Sequence, residues 1–181
     1  MGVGLDKCTF MTATDIFGRL SAAHAGEVLN WLSDNDRPAY RKCAGLLATR
    51  RNLRPVFVER KPKIERNQWI KDALARPANA DLALEILQIW TLGCNDQMVC
   101  AFLDALEIPH NGKGLIDDLP AEPDGERVAQ AVEMLLGKYP SPSVFVYLHL
   151  FCGMNPDVWP VLTGLLESHA ALSPDRALSP L

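Results

Sequence analysis

The stretch Asn79-Ala80-Asp81-Leu82-Ala83-Leu84-Glu85-Ile86-Leu87-Gln88-Ile89-Trp90-Thr91-Leu92-Gly93 decides the fold class. Leu82, Ala83, Ile86, Ile89 and Trp90 recur at the three- and four-residue spacing that stacks side chains on one face of an α-helix. Leu84 and Leu87 carry the apolar surface nearly all round, so this helix is expected to be central and buried. Asn79 stands where an N-cap belongs, and Gly93 where the helix should break. Asn95 is then placed to cap a second helix, in which Met98, Val99, Phe102, Leu103 and Leu106 repeat at the same spacing.

The N-terminal side reads the same way. Thr12 or Thr14 can cap a helix with Ile16, Phe17 and Leu20 on one side. A second helix, from about Ala22 to Ser33, carries Val28, Leu29, Trp31 and Leu32. Asp36 is an N-cap for the third, with Pro38 in the first turn, where its missing N–H costs little. There Tyr40, Cys43, Ala44 and Leu47 share one face, and Arg41 and Lys42 point away from it. From Asn52 to Pro62 the chain changes character. Two prolines, Val56-Phe57-Val58 and several cations suggest an extended crossing segment, with a short strand near residues 55–59. Helix returns at about Lys63 to Ala75, burying Trp69, Ile70, Ala73 and Leu74, and Pro77 stops it.

Toward the C-terminus, Pro109-His110-Asn111-Gly112 is a turn by composition, followed by a short helical turn at 115–119 and a loop through 120–125. Asp124 precedes a helix to about Lys138 with Val128, Val132, Leu135 and Leu136 inward. Val144 to Cys152 has the β-branched and aromatic content of a strand, but no partner strand is evident and its neighbours are helical, so it is read as helix. Asn155-Pro156-Asp157 is a start signal for a last helix burying Val158, Leu162, Leu165 and Leu166. The expectation is an all-α chain of about eight to nine helices, an irregular helical bundle or a short stack of αα-hairpins. It would form a single helical domain over 1–172 with a flexible tail at 173–181. Glu27-Val28-Leu29-Asn30-Trp31, Glu85-Ile86-Leu87-Gln88-Ile89 and Gln130-Ala131-Val132-Glu133-Met134-Leu135 echo one another near the ends of successive helix pairs. That pattern resembles a HEAT-type arrangement, which implies stacked hairpins with a groove between them.

Composition sets further bounds. With 181 residues, 48% of them hydrophobic, the chain is long enough for one sizeable core and too apolar to be wholly disordered. The longest apolar run, Val144 to Cys152, is interrupted by His149 and falls short of the roughly 18 residues of a membrane span, so no membrane partner is expected. The first residues lack the basic and apolar stretches of a signal peptide. Five cysteines without framework spacing point to a reducing cytoplasm. The formal charge of -4 hides a segregation. Residues 37–76 hold twelve cations against three acids, a net +9, while residues 77–181 carry a net -10. Such a field steers partners of opposite sign: nucleic acid, an acidic protein, or the chain's own acidic half.

Chemical motifs are sparse. There is no Gly-rich phosphate loop, nucleophile elbow, His-Glu-x-x-His or calcium loop, and no cysteine pair has zinc-knuckle spacing. No catalytic residue, metal ligand or cofactor is therefore expected. His149 and Cys152 share a helical face among Leu148, Leu150 and Phe151 and read as packing residues. Asp117 and Asp118 are adjacent and diverge, unlike an acid–base pair. His110 is the histidine best placed for exposure, in a turn. Cys43 has cations nearby in sequence but lies on an apolar stripe, which suits an inert thiol. Leu103-Asp104-Ala105-Leu106-Glu107-Ile108-Pro109-His110-Asn111-Gly112-Lys113-Gly114-Leu115-Ile116 resembles the helix–turn–helix of the SAP family, a small DNA-binding module. It covers under a tenth of the chain and departs from the family where Asp117-Asp118 replace a basic position, so the likeness is one of turn and not of membership.

Two functional expectations follow. The first is a non-catalytic helical scaffold holding a protein or peptide partner in a groove between helix hairpins. The alternative is nucleic-acid binding by segment 37–76 through Arg41, Lys42, Arg50, Arg51, Arg54, Arg60, Lys61 and Lys63, with Phe57 and Trp69 as interleaved aromatics. A homodimer, the +9 segment of one copy meeting the -10 half of another, is compatible with both.

Overall fold

The computed structural model describes residues 11–178, and over that span the chain is all-α, with no strand among the described residues. Eleven α-helices are formed: α1 (Ala13–Arg19), α2 (Ala22–Asn35), α3 (Arg37–Arg50), α4 (Pro55–Glu59), α5 (Lys63–Leu74), α6 (Ala80–Cys94), α7 (Asp96–Ala105), α8 (Gly125–Lys138), α9 (Ser141–Met154), α10 (Pro160–Ser168) and α11 (Pro174–Ala177). Nine of these have seven or more residues. Single 3₁₀ turns at Pro77–Asn79 and Ala170–Leu172 complete the list.

Side chains pack into two apolar clusters. The first joins α1, α2, α3, α5 and α6 through residues such as Phe17, Leu29, Leu47, Ile70 and Leu87. The second joins α7, α8 and α10 through Phe102, Val132, Leu135 and Leu162. Helix α9 belongs to both: Phe145, Val146 and Leu150 enter the first, and Val144, Tyr147, Leu148, Phe151 and Cys152 the second. The segment read as helix despite its strand-like composition is thus the helix around which the others assemble, and it packs on α6, α8, α10 and α11.

Several helix starts follow the expected capping. Thr12 accepts from the Asp15 N–H in a reciprocal capping box, Asp36 from Ala39 and Asp124 from Glu126. Asn79 and Asn95 precede their helices but do not cap them with their side chains. Asn79 Nδ2 instead donates to the Ala73 carbonyl at 2.7 Å, pinning the end of α5 to the start of α6. Helix α3 ends on Asn52 at φ 57°, with Leu53 N–H on Ala48 O and Asn52 N–H on Thr49 O, a Schellman closure. Helix α7 closes identically on Glu107 at φ 56°.

Further expectations need correction, among them the burial of Val158, which is 45% exposed. The segment 55–59 is helix α4 and not extended. Pro55 occupies the first turn, where no N–H is needed, and without a partner strand the backbone satisfies itself, as in Arg60 N–H to Val56 O at 3.1 Å. Residues 115–119 form no helix; Gly112 and Gly114, at φ 78° and 80°, and the Asn111 side chain shape an irregular loop. The last long helix begins at Pro160 and not at Asn155-Pro156-Asp157, because Asp157 turns left-handed (φ 65°) and Trp159 is the residue that anchors it. Finally, Ser173–Leu178, expected to be loose, includes α11 and buries Ala177 and Leu178 against the first cluster. Residues 179–181 of that tail lie outside the described residues.

Gly93 does not break α6, which continues to Cys94. Its function is steric: a Cβ there would collide with the Trp31 indole of α2. Gly45, in the middle of α3, faces open space. Gly45→Ala is therefore expected to raise stability by about 0.5–1 kcal/mol. Gly93→Ala should lower it by about 1–3 kcal/mol through overpacking, and adding Trp31→Leu should relieve much of that loss. Urea denaturation of the three variants checks both signs.

Candidate functional site

The basic segment divides into engaged and unengaged cations. Arg50 makes a two-pronged ion pair with Asp81 at 2.8 and 2.9 Å and also donates to Asn79 Oδ1 at 2.9 Å. The Arg50 guanidinium holds the Asp81 carboxyl down at about 2. Lys42 pairs with Glu85 at 2.7 Å, and Lys63 with Asp34 at 3.4 Å. Arg51 lies over the Trp69 ring, 5.3 Å from its centroid. Arg41, Arg54, Arg60 and Lys61 form no ion pair among the described residues. The eight candidates thus do not converge on one site: half are tied to α2, α5 or α6, and three of the rest flank α4. Phe57 stands 58% exposed beside those three, whereas Trp69 is partly buried against the first cluster.

The structure also contains a cleft that the sequence reading did not identify. It has a volume of about 470 Å³ and lies between α6, α7, α9 and the loop after α7. Its floor is aromatic. Tyr147 and Phe151 stand edge-on to Phe102 of α7, and Phe151 packs edge-on against Trp159 at 4.9 Å. Leu92, Val99 and Leu103 supply aliphatic walls. The loop forms the remaining wall because Asn111 Oδ1 accepts from the N–H groups of Lys113 and Leu115. Gly114 must be glycine twice over: its φ is 80°, and a Cβ would run into Val99. Trp159 Nε1 donates to Pro120 O at 3.1 Å, and the Glu122 carboxylate accepts from Val161 and Leu162 N–H, capping α10 and tethering the loop's far end.

Two hydroxyls of lining residues make no hydrogen bond among the described residues. Thr91 is 4% exposed and its Oγ1 makes no hydrogen bond. Tyr147, whose ionisation burial opposes, makes none either among the described residues. A buried hydroxyl without a partner is costly, and Thr91 Oγ1 is the one such hydroxyl among the lining residues. Asp117 is the charged residue on the wall, and it forms no ion pair among the described residues. A run of leucines interrupted by Thr91 and Gln88 was the sequence signal for this face. Periodicity alone reads those positions as the polar edge of a helix.

The groups that look chemical in sequence are otherwise accounted for. Burial pushes the Cys43 and Cys152 thiols up to about 12, away from thiolate. His110 is fixed in its turn, with Nε2 3.0 Å from Asp104 and Nδ1 accepting from Gly112 N–H. No cluster of three His, Cys, Asp or Glu able to hold a metal occurs among the described residues. Compared with protein-family models, curated proteins and solved structures, the chain has no match in any of the three.

His149 is the exception that carries a cost. Both its ring nitrogens are buried without partners beside Phe145, and burial lowers its pKa to about 4. In the unfolded chain the imidazole takes a proton near pH 6.5, which the folded state refuses until about pH 4. Stability is therefore expected to fall by up to about 3 kcal/mol as pH drops through that window and to level off below it. His149→Leu should flatten this acid limb, as measured by urea denaturation across a pH series.

Proposed function

We propose that this chain is a non-catalytic binding module. The cleft between α6, α7, α9 and the 111–119 loop takes an apolar anchor from a protein or peptide partner, with cations flanking the anchor. The observation that carries the reading is the open apolar cleft with an aromatic floor and an acidic wall. Its volume falls within the roughly 300–1,000 Å³ of ligand sites, and Asp117 disfavours anionic occupants. The four described cysteines are free thiols, in keeping with a cytoplasmic location. No described helix is long and apolar enough to cross a membrane.

A displayed peptide library tests this. Selection is made on the wild-type protein with counter-selection on Leu115→Arg/Met154→Arg, two rim residues exposed enough (53% and 49%) to change without unfolding the chain. Recovered peptides are expected to hold an aromatic or large aliphatic residue flanked by Lys or Arg. They should bind the variant at least about tenfold more weakly at unchanged melting temperature. Equal binding to both proteins, or no enrichment, would sink the reading.

The second reading, nucleic-acid binding, draws on exposed Phe57 beside Arg54, Arg60 and Lys61. It is the weaker one, because Lys42, Arg50 and Lys63 are paired with acids and Arg51 is stacked on Trp69. Under it, fluorescence anisotropy with single- and double-stranded nucleic acid would show binding that falls steeply with salt and is lost on reversing Arg54, Arg60 and Lys61 to Glu. Absence of binding at low salt would remove it.

A further inference from the structure

Helix α4 and its flanks carry the most exposed apolar ground on the described surface. Ile64 is 85% exposed and Phe57 58%, and Leu53 and Val56 are also exposed. All four lie within the single stretch 53–64. Between them stand Arg54, Arg60 and Lys61 with one exposed acid, Glu59, a net positive set whose members form no ion pair among the described residues. This knob is nevertheless firmly based. Val58 is fully buried in the first cluster, and Arg66 donates to the Glu59 carbonyl at 3.0 Å while its Nε donates to Tyr40 Oη at 2.9 Å. A short helix held rigidly, with an aromatic and aliphatic side chains displayed among uncompensated cations, has the form of a preorganised ligand.

The same chain holds the complementary receptor. The cleft is apolar, its wall bears Asp117, and the adjacent Asp118 is likewise exposed and without an ion pair among the described residues. Lys113 is the cation of that loop and does not line the cleft. Within one chain the two do not meet: Phe57 is exposed and α4 packs on α3, whereas the cleft stands open between α6, α7 and α9. We infer that the knob of one copy occupies the cleft of a second, with Phe57 entering over the Tyr147–Phe151 floor and Arg54, Arg60 and Lys61 facing Asp117 and Asp118. This inference rests on the proposed reading of the cleft as a site for a cation-flanked apolar anchor, and names its occupant. The contact is head-to-tail, so each joined pair still presents one free knob and one free cleft, and the assembly grows into a ring or an open chain.

Complementation between two variants tests it, using the full chain and analytical ultracentrifugation over a concentration and salt series. Wild-type protein should grow in mass with concentration, less so at high salt, where the rim charges are screened. Phe57→Asp (knob lost) and Leu115→Arg/Met154→Arg (cleft blocked) should each be folded monomers. Their equimolar mixture should form a one-to-one dimer and nothing larger, since only one intact knob and one intact cleft remain to meet. A wild-type protein that stays monomeric at low salt, or a mixture that does not dimerise, overturns the inference. So does nucleic-acid binding that disappears with Phe57→Asp while the wild type remains monomeric. The library-selected peptides, titrated against wild type and the cleft variant, separate the two levels of failure. If they bind the cleft but a second copy does not, only the occupant is wrong. If no peptide binds the cleft, the underlying reading fails as well.

Discussion

Burial of α9 on every side is the constraint from which the rest of the arrangement follows. Ten consecutive residues, Ser143 to Cys152, are shielded from solvent. A segment so enclosed must satisfy its backbone N–H and C=O groups without water. A strand would need partners on both edges, whereas a helix meets the requirement internally, so the β-branched and aromatic residues of this segment are overruled by their surroundings. The helix then divides its side chains between two clusters, and the flanking helices pack where those side chains point. α6 covers one side, α8 and α10 cover the other, and α11 folds back instead of trailing as a tail. His149 is carried within this segment at the cost of two unsatisfied nitrogens, its neutral ring packed at a tilt against Phe145, 4.2 Å between centroids.

The cleft is a consequence of the same geometry. α6 and α7 are consecutive but pack on different partners, α6 on α9 and α7 on α8, and the gap between them is floored by Tyr147 and Phe151 of α9. A chain selected only for stability would fill such a gap with a larger side chain at a lining position such as Thr91. Here the wall is instead made by a loop whose glycines let it approach α7 closely and whose two ends are fastened, one by Asn111 and the other by Trp159 and Glu122. Fastening of that kind holds the cleft open in a defined shape.

How legible this was depended on distance along the chain. Helices α2, α3, α6, α7 and α8 could be read from sequence because their inward faces repeat locally. The caps at Thr12 and Asp36 could be read because each acts within three residues. Helix α4 could not, because a five-residue helix has barely more than one turn in which to show a period, and Val56-Phe57-Val58 looks like a strand until one sees that only Val58 is buried. Asn79 and Asn95 look like caps, yet Asn79 is drawn off by Ala73 and Arg50, partners that only the tertiary structure brings near. The cleft was the least legible feature: its walls come from residues 88–92, 99–103, 114–119 and 147–155. The charge count of segment 37–76 was visible, but which of its cations would be neutralised was not.

That last point bears on what the segregated charge can do. The pairs Lys42–Glu85 and Arg50–Asp81 join α3 to α6, using acids that lie just beyond the basic segment in sequence. They commit these two cations to the fold. Uncompensated positive charge remains around α4, as it does at Arg37, Arg41, Lys71 and Arg76, and uncompensated negative charge on the loop bearing Asp117 and Asp118. Exposed charges so disposed contribute little to affinity, because water and salt screen them. They orient an encounter and reject partners of the wrong sign. Affinity must then come from apolar surface, and Phe57, Ile64, Leu115 and Met154 are exposed where those two charged regions lie. Exposed apolar groups that coincide with unpaired charge argue for recognition more strongly than either feature would alone.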